Sequence, residues 1–211
     1  MTGSLDEAEE QLAGFRSTSS GATARFAAPQ AAIIRSLVSQ IAELVAVEED
    51  QDLDLTTGTG PGTAADAGAE LPPGSPDDLV ARLGLSRSTE LPEDPVLARL
   101  LPDAYRDDPA ASGEFRRYTE QDLRSGKVAA AMTVLQTLPP SGGRVRLSQS
   151  DAGAWLRALN DVRLALSVRL GVTDDFDEQV EDMSADDPRS AYVWVYQWLA
   201  FLQDSLVGAL S

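Results

Sequence analysis

Residues 173–188 read TDDFDEQVEDMSADDP, in which Asp174, Asp175, Asp177, Glu178, Glu181, Asp182, Asp186 and Asp187 supply eight carboxylates and no cation. Hard cations take such oxygens, but a calcium loop between helices needs ligands at alternate positions, a central glycine and a closing glutamate. The glycine is missing and the spacing does not fit, so a solvated loop is expected. A second stretch, SGGRVR, could offer backbone amides to a phosphate, with Arg144 and Arg146 as counter-charges. It lacks the Lys-Ser/Thr of a nucleotide loop and is not followed by the expected helix start, so a turn into an edge strand is the better reading. In LRALNDVRLAL, Asn160 and Asp161 stand in mid-helix, where such residues are mediocre helix formers. Arg157 lies four residues before Asp161, so an i,i+4 pair on the surface or a polar contact to a neighbouring element accounts for the aspartate. No nucleophile or base accompanies it, which argues against catalysis.

What is absent narrows the chemistry further. The 211 residues contain no cysteine and no histidine. Thiolate catalysis, disulfides, thiolate metal sites, imidazole bases and most zinc sites are thereby excluded. Carboxylate pairs, the single lysine, Lys127, and backbone cradles remain. No catalytic motif appears in the sequence, and no catalytic residue, metal ligand or cofactor site is expected.

The net charge of −17 disfavours direct nonspecific DNA binding, which needs clustered cations. Residues 111–170 depart from it, with nine of the 17 basic residues and only five acidic ones. Salt-bridged, solvated helix faces would explain this. The sharper reading is a positive surface for an acidic protein partner, with Arg116, Arg117 and Arg124 as its first candidates. The acidic start MTGSLDEAEEQLAGF lacks the features of a signal peptide, so a cytoplasmic location is expected. AYVWVYQWLAFLQ, near the other end, is too short an apolar run for a span of roughly 20 residues, so no membrane role is expected.

These groups must be positioned by helices. APQAAIIRSLVSQIAELVAVEE has Ile34, Leu37, Ile41 and Leu44 on one face and Pro29 in its first turn. Asp94 before Pro95 and Ser75 before Pro76 mark two short helices. A long helix is expected from about 110 to 138, with Phe115, Leu123, Val128, Met132 (or Ala131), Leu135 and Leu138 facing inward. Ser148 and Asp151 form a capping-box start for a helix closed by Gly171, with Ala152, Trp155, Leu159, Val162 and Leu166 inside. In the last helix, Tyr192, Val195, Leu199, Leu202 and Leu206 make one stripe, and Trp194, Trp198 and Phe201 a second. Both stripes are expected in the core, against the Trp155 helix and the helix of residues 30–47; an exposed partner surface is the alternative, and a homodimer through a neighbouring face would be compatible with the core reading.

GFRSTSSGATARFAA suits a β-hairpin turning near Gly21, and GGRVRLS alternates as a candidate strand beside it. The expected fold class is therefore mainly α: a helical bundle with a small N-terminal β-hairpin and one further short strand. Residues 1–14 are expected to be a disordered start. Residues 15–211 form one helical domain with a flexible Gly/Pro/Asp-rich insert at about 50–76, too poor in large apolar residues to offset the entropy of ordering.

Several of these stretches together resemble one family. RSLVSQIAELV, LLPDAYRDD, EFRRYTE, WLRALNDVRLAL and YVWVYQWLAFLQDSLV are similar to the AosR-like family of actinobacterial proteins, long catalogued as a domain of unknown function. The resemblance implies a cytoplasmic, non-enzymatic regulator associated by name with oxidative-stress responses, here acting through a protein partner of the transcription machinery. Similar proteins are often encoded beside the protease adaptor ClpS, which also suggests a link to proteolysis. A thiol switch does not transfer, because this chain has no thiol. The alternative is a ligand-binding or carboxylate-dependent enzyme domain, which requires a buried acid with a partner inside a cleft between helices.

Overall fold

Phe15 and the alternating residues of GATARF and GRVRLS build a sheet whose apolar side closes over Trp155. The computed structural model describes residues 14–46, 94–105, 107–184, 187 and 189–211, with the side chain of Arg117 left out. The expected disordered start, the insert and the Ser75-capped helix fall outside the described residues, apart from Gly14. The elements are β1 (Arg16–Thr18), β2 (Gly21–Phe26), α1 (Ala28–Ala46), α2 (Pro95–Leu100), α3 (Pro109–Thr137), β3 (Gly143–Ser148), α4 (Gln149–Leu170), α5 (Phe176–Glu181) and α6 (Ser190–Leu210). A mainly helical chain with a small antiparallel sheet is thus what the sequence builds.

The sheet order is β1-β2-β3, antiparallel throughout. Gly21 opens β2 at φ 143°, and a Cβ there would lie 2.1 Å from the Leu147 carbonyl oxygen, so the hairpin needs glycine at this point. Ala22, Ala24, Phe26, Val145 and Leu147 face inward. The Phe15 and Phe26 rings pack on Trp155 at centroid distances of 5.5 and 5.9 Å. The Trp155 indole N–H donates to Thr137 Oγ1 at 2.8 Å, so the buried indole carries no unmet donor.

Local capping rules set the helix ends. The Asp94 carboxylate accepts from the Val96 and Leu97 amides, and Asp108 does the same for Ala111. Ser148 and Asp151 make the reciprocal capping box, and Gly171 ends α4 in the left-handed conformation. The bundle is centred on α4, which packs against α1, α2, α3 and α6. Ala152, Trp155, Leu159, Val162 and Leu166 are all buried there, as their spacing predicts.

Two helices present different faces from those their apolar residues suggest. On α3, Phe115, Leu123 and Met132 are exposed, and the inward positions are Arg124, Ala130, Ala131, Val134 and the capping Leu138. Met132 lies on the exposed side of α3, and the alternative, Ala131, takes the buried position next to Ala130. On α6 the buried arc is Val193, Trp198, Leu199, Leu202, Leu206 and Ala209, while Tyr192, Trp194 and Phe201 are exposed. The chief neighbours of α6 are α4 and the hairpin, not α1, which turns its core arc toward Leu202 and Leu206. Trp198 is therefore core, and Trp194 lies over it at 5.6 Å in a stacked arrangement with 49% of its surface open. Trp194→Ala is expected to cost only about 1 kcal/mol, the scale of an aromatic pair, in thermal or urea melts.

The segment read as an acidic loop contains one short helix. Phe176 anchors α5 by burying its ring in a cluster with Leu170 and Val193. Its ring meets Tyr196 edge-on at 5.8 Å.

Candidate interaction surfaces and a polar cleft

Burial of a carboxylate between helices requires a partner, and α3 supplies one to α4. Lys127 Nζ donates to Asp161 Oδ1 at 2.6 Å, and Asp161 is only 4% exposed. The cross-helix ion pair replaces the i,i+4 surface pair with Arg157 that sequence spacing allows. Arg157 still acts on Asp161 through its charge. Burial pushes the Asp161 carboxyl above the ordinary carboxylate range, opposed by the Lys127 hydrogen bond and by the charges of Lys127 and Arg157. The pair lies in a cleft of about 270 Å³ lined also by Asp122, Leu123, Gly126, Arg157 and Asn160. Charged groups of both signs line it, with Lys127 as the single amine.

The three arginines picked from α3 do not form one surface. Arg124 is 2% exposed: its Nη1 donates to the Val45 carbonyl at 2.8 Å, and its Nε and Nη2 donate to Glu120 Oε1. Val45 lies in the last turn of α1, whose carbonyls lack helical partners, so Arg124 is a cap and not a partner contact. Arg35 of α1 returns the favour, donating to the Leu135 and Leu138 carbonyls at the end of α3. Arg116 is held by Asp103 at 2.6 Å and Glu120 at 3.6 Å, with 12% of its side chain exposed. Arg117 lies on α3, with its side chain outside the described residues.

A different cation cluster appears on the outer side of the sheet. Arg25 pairs in register with Arg144, and Thr23 stands between Arg16 and Arg146 in the same cross-strand row. All four arginines are exposed. The alternation of GRVR announces two of them; their meeting with Arg16 and Arg25 needs the strand register. Gly142 and Gly143, at φ 74° and 120°, form the turn into β3, as the edge-strand reading of SGGRVR requires.

Asp174, Asp175, Asp177, Glu178, Glu181 and Asp182 are exposed along α5 and its flanks. Among the described residues, no group of three or more acidic side chains is placed to hold a metal ion. No helix among them is long and apolar enough to cross a membrane.

A family model described as a domain of unknown function, DUF2017, matches residues 12–210. Proteins described as oxidative stress regulator AosR from Mycobacterium bovis and Mycobacterium tuberculosis are 41% identical to this chain over 132 residues, covering 56% of it and 59% of each of them. A putative oxidative stress regulator AosR from Mycobacterium leprae is 40% identical over 148 residues, covering 64% of this chain and 67% of that protein. The chain thus spans less than two thirds of the length of the Mycobacterium bovis and Mycobacterium tuberculosis relatives. No solved structure matches it.

Proposed function

The chain belongs to the DUF2017 family, and from that premise we propose that it is a cytoplasmic, non-enzymatic regulator in the oxidative-stress response that works through a protein partner. The observation that carries this reading is the 40–41% identity to proteins named as oxidative stress regulators. The absence of cysteine gives the reading its particular form. This chain cannot form the sulfenate or disulfide of a thiol sensor, so the redox signal reaches it from the partner. Its acidic balance favours protein contact over gripping DNA alone. The test is transcript profiling before and after mild peroxide in a strain lacking the gene. A changed set of peroxide-responsive transcripts is expected, restored by the intact gene; an unchanged response overturns the reading.

One observation favours a second reading. Asp161 is a buried acid with a partner inside a cleft between helices, the feature that a ligand-binding or carboxylate-dependent enzyme domain requires. Its bland counterpart is a structural ion pair that fixes the α3–α4 crossing.

A further inference from the structure

Most cations of the helices are engaged within the fold: Arg35, Arg116, Arg124 and Lys127 each bond a carbonyl or a carboxylate. Those of the sheet are not. Among the described residues, no side-chain hydrogen bond or ion pair engages the guanidinium of Arg16, Arg25, Arg144 or Arg146, although their backbones pair in the sheet. The three strands, RST, GATARF and GRVRLS, contain no carboxylate, although the chain holds 34 acidic residues against 17 basic ones. Like charges directly opposite each other across strands destabilise a sheet, and Arg25 faces Arg144 in that way. A cluster that works against folding in an acidic protein is accounted for by an anion that covers it.

We propose that the outer face of the β1-β2-β3 sheet is the docking surface for an extended acidic segment of a partner protein, whose carboxylates pair with Arg16, Arg25, Arg144 and Arg146. The proposal rests on the reading of the protein as a partner-binding regulator and locates the surface that reading needs. Arg144 and Arg146 are two residues apart, about 6.8 Å along a strand, the same repeat at which an extended chain presents every second side chain. Alternating Asp or Glu residues therefore match the arginines in spacing as well as in sign. Guanidinium forks hold carboxylates through paired N–H bonds, which adds geometric selectivity to the attraction.

A nucleic acid fits the face less well. Beside the arginines, its exposed side chains are Thr18 and Ser148, with Thr23 half-buried, and none is an aromatic on which a base can stack. A long polyanion would also run past the carboxylates that give the whole chain its charge of −17.

The test uses the full chain and a short labelled peptide of alternating Asp and Thr, followed by fluorescence anisotropy over a salt series. Binding that weakens as salt rises is expected. Arg144→Glu/Arg146→Glu should weaken it on the order of tenfold or more. Its melting temperature should equal or exceed that of the parent, because the Arg25–Arg144 repulsion is gone. Arg99→Glu/Arg169→Glu makes the same charge change on exposed helix positions and should alter binding far less. Equal loss in both double variants, no binding by the parent chain, or preference for a short oligonucleotide over the peptide would each overturn the proposal. A strain carrying Arg144→Glu/Arg146→Glu separates this inference from the regulator reading. If it keeps the peroxide response that the deletion loses, the sheet face is wrong and the regulator stands.

Discussion

Trp155→Ala is expected to lower the stability of the folded chain by about 3–5 kcal/mol, enough to remove most of the margin of an ordinary domain. Trp155 is fully buried and is the point where the sheet meets the bundle. Its indole lies against Phe15, from the chain just before β1, and Phe26, the last residue of β2. The indole N–H also bonds Thr137 at the end of α3. Truncation opens a cavity bordered by three separate parts of the chain and leaves the Thr137 hydroxyl without its donor. The cavity cannot close by a side-chain shift alone, because strands and helix ends hold its walls. Urea denaturation with tryptophan fluorescence and circular dichroism checks the value. Trp155→Phe, which keeps a ring in the same space, should recover part of the loss. A Trp155→Ala protein that melts within a degree or two of the parent would show that the sheet and bundle are not one cooperative unit.

The same residue shows how far the sequence is legible. The burial of Trp155 follows from helical spacing, and the ends of α4 follow from Ser148, Asp151 and Gly171, because capping depends on residues within one turn. The strand at GRVRLS follows equally from its alternation of period two. Illegible is whatever depends on which elements become neighbours. Trp194 and Trp198 differ by four positions and share an apolar stripe, yet only the second is covered, since α6 rests on α4 and the hairpin. Arg124 reads as a surface cation until the Val45 carbonyl, 79 residues away, is brought against it. Arg25 and Arg144 become one cluster only through strand register. Composition locates the basic region of the chain, but the fold divides it into caps, ion pairs and an exposed sheet face.

Lys127→Met should cost about 3 kcal/mol at neutral pH, at the low end for one partner of a buried ion pair because the cleft admits some water. Asp161 remains, 6% exposed in its side chain, without its ammonium. The loss has a definite pH dependence. Burial already raises the folded carboxyl above its ordinary value of 3.8, and Lys127 provides the largest opposing influence. Its removal raises the carboxyl further. A carboxyl that binds its proton more tightly when folded favours folding below its unfolded pKa, and this contribution is lost as pH rises through the folded value. The deficit of Lys127→Met relative to the parent should therefore be smallest near pH 4 and grow to its full size as the pH rises past the raised pKa. Lys127→Met/Asp161→Leu, which removes both charges, should recover most of the loss and abolish that dependence. Urea melts of the three proteins across this pH range check the sign. A deficit that is flat in pH, or absent, would show that water in the cleft already solvates Asp161. The double variant also bears on function, since it keeps the packing while deleting the acid and the amine. A strain carrying it that responds normally to peroxide would mark the pair as structural and remove the ligand-binding reading; loss of the response with full stability would place the cleft at the centre of the protein's activity.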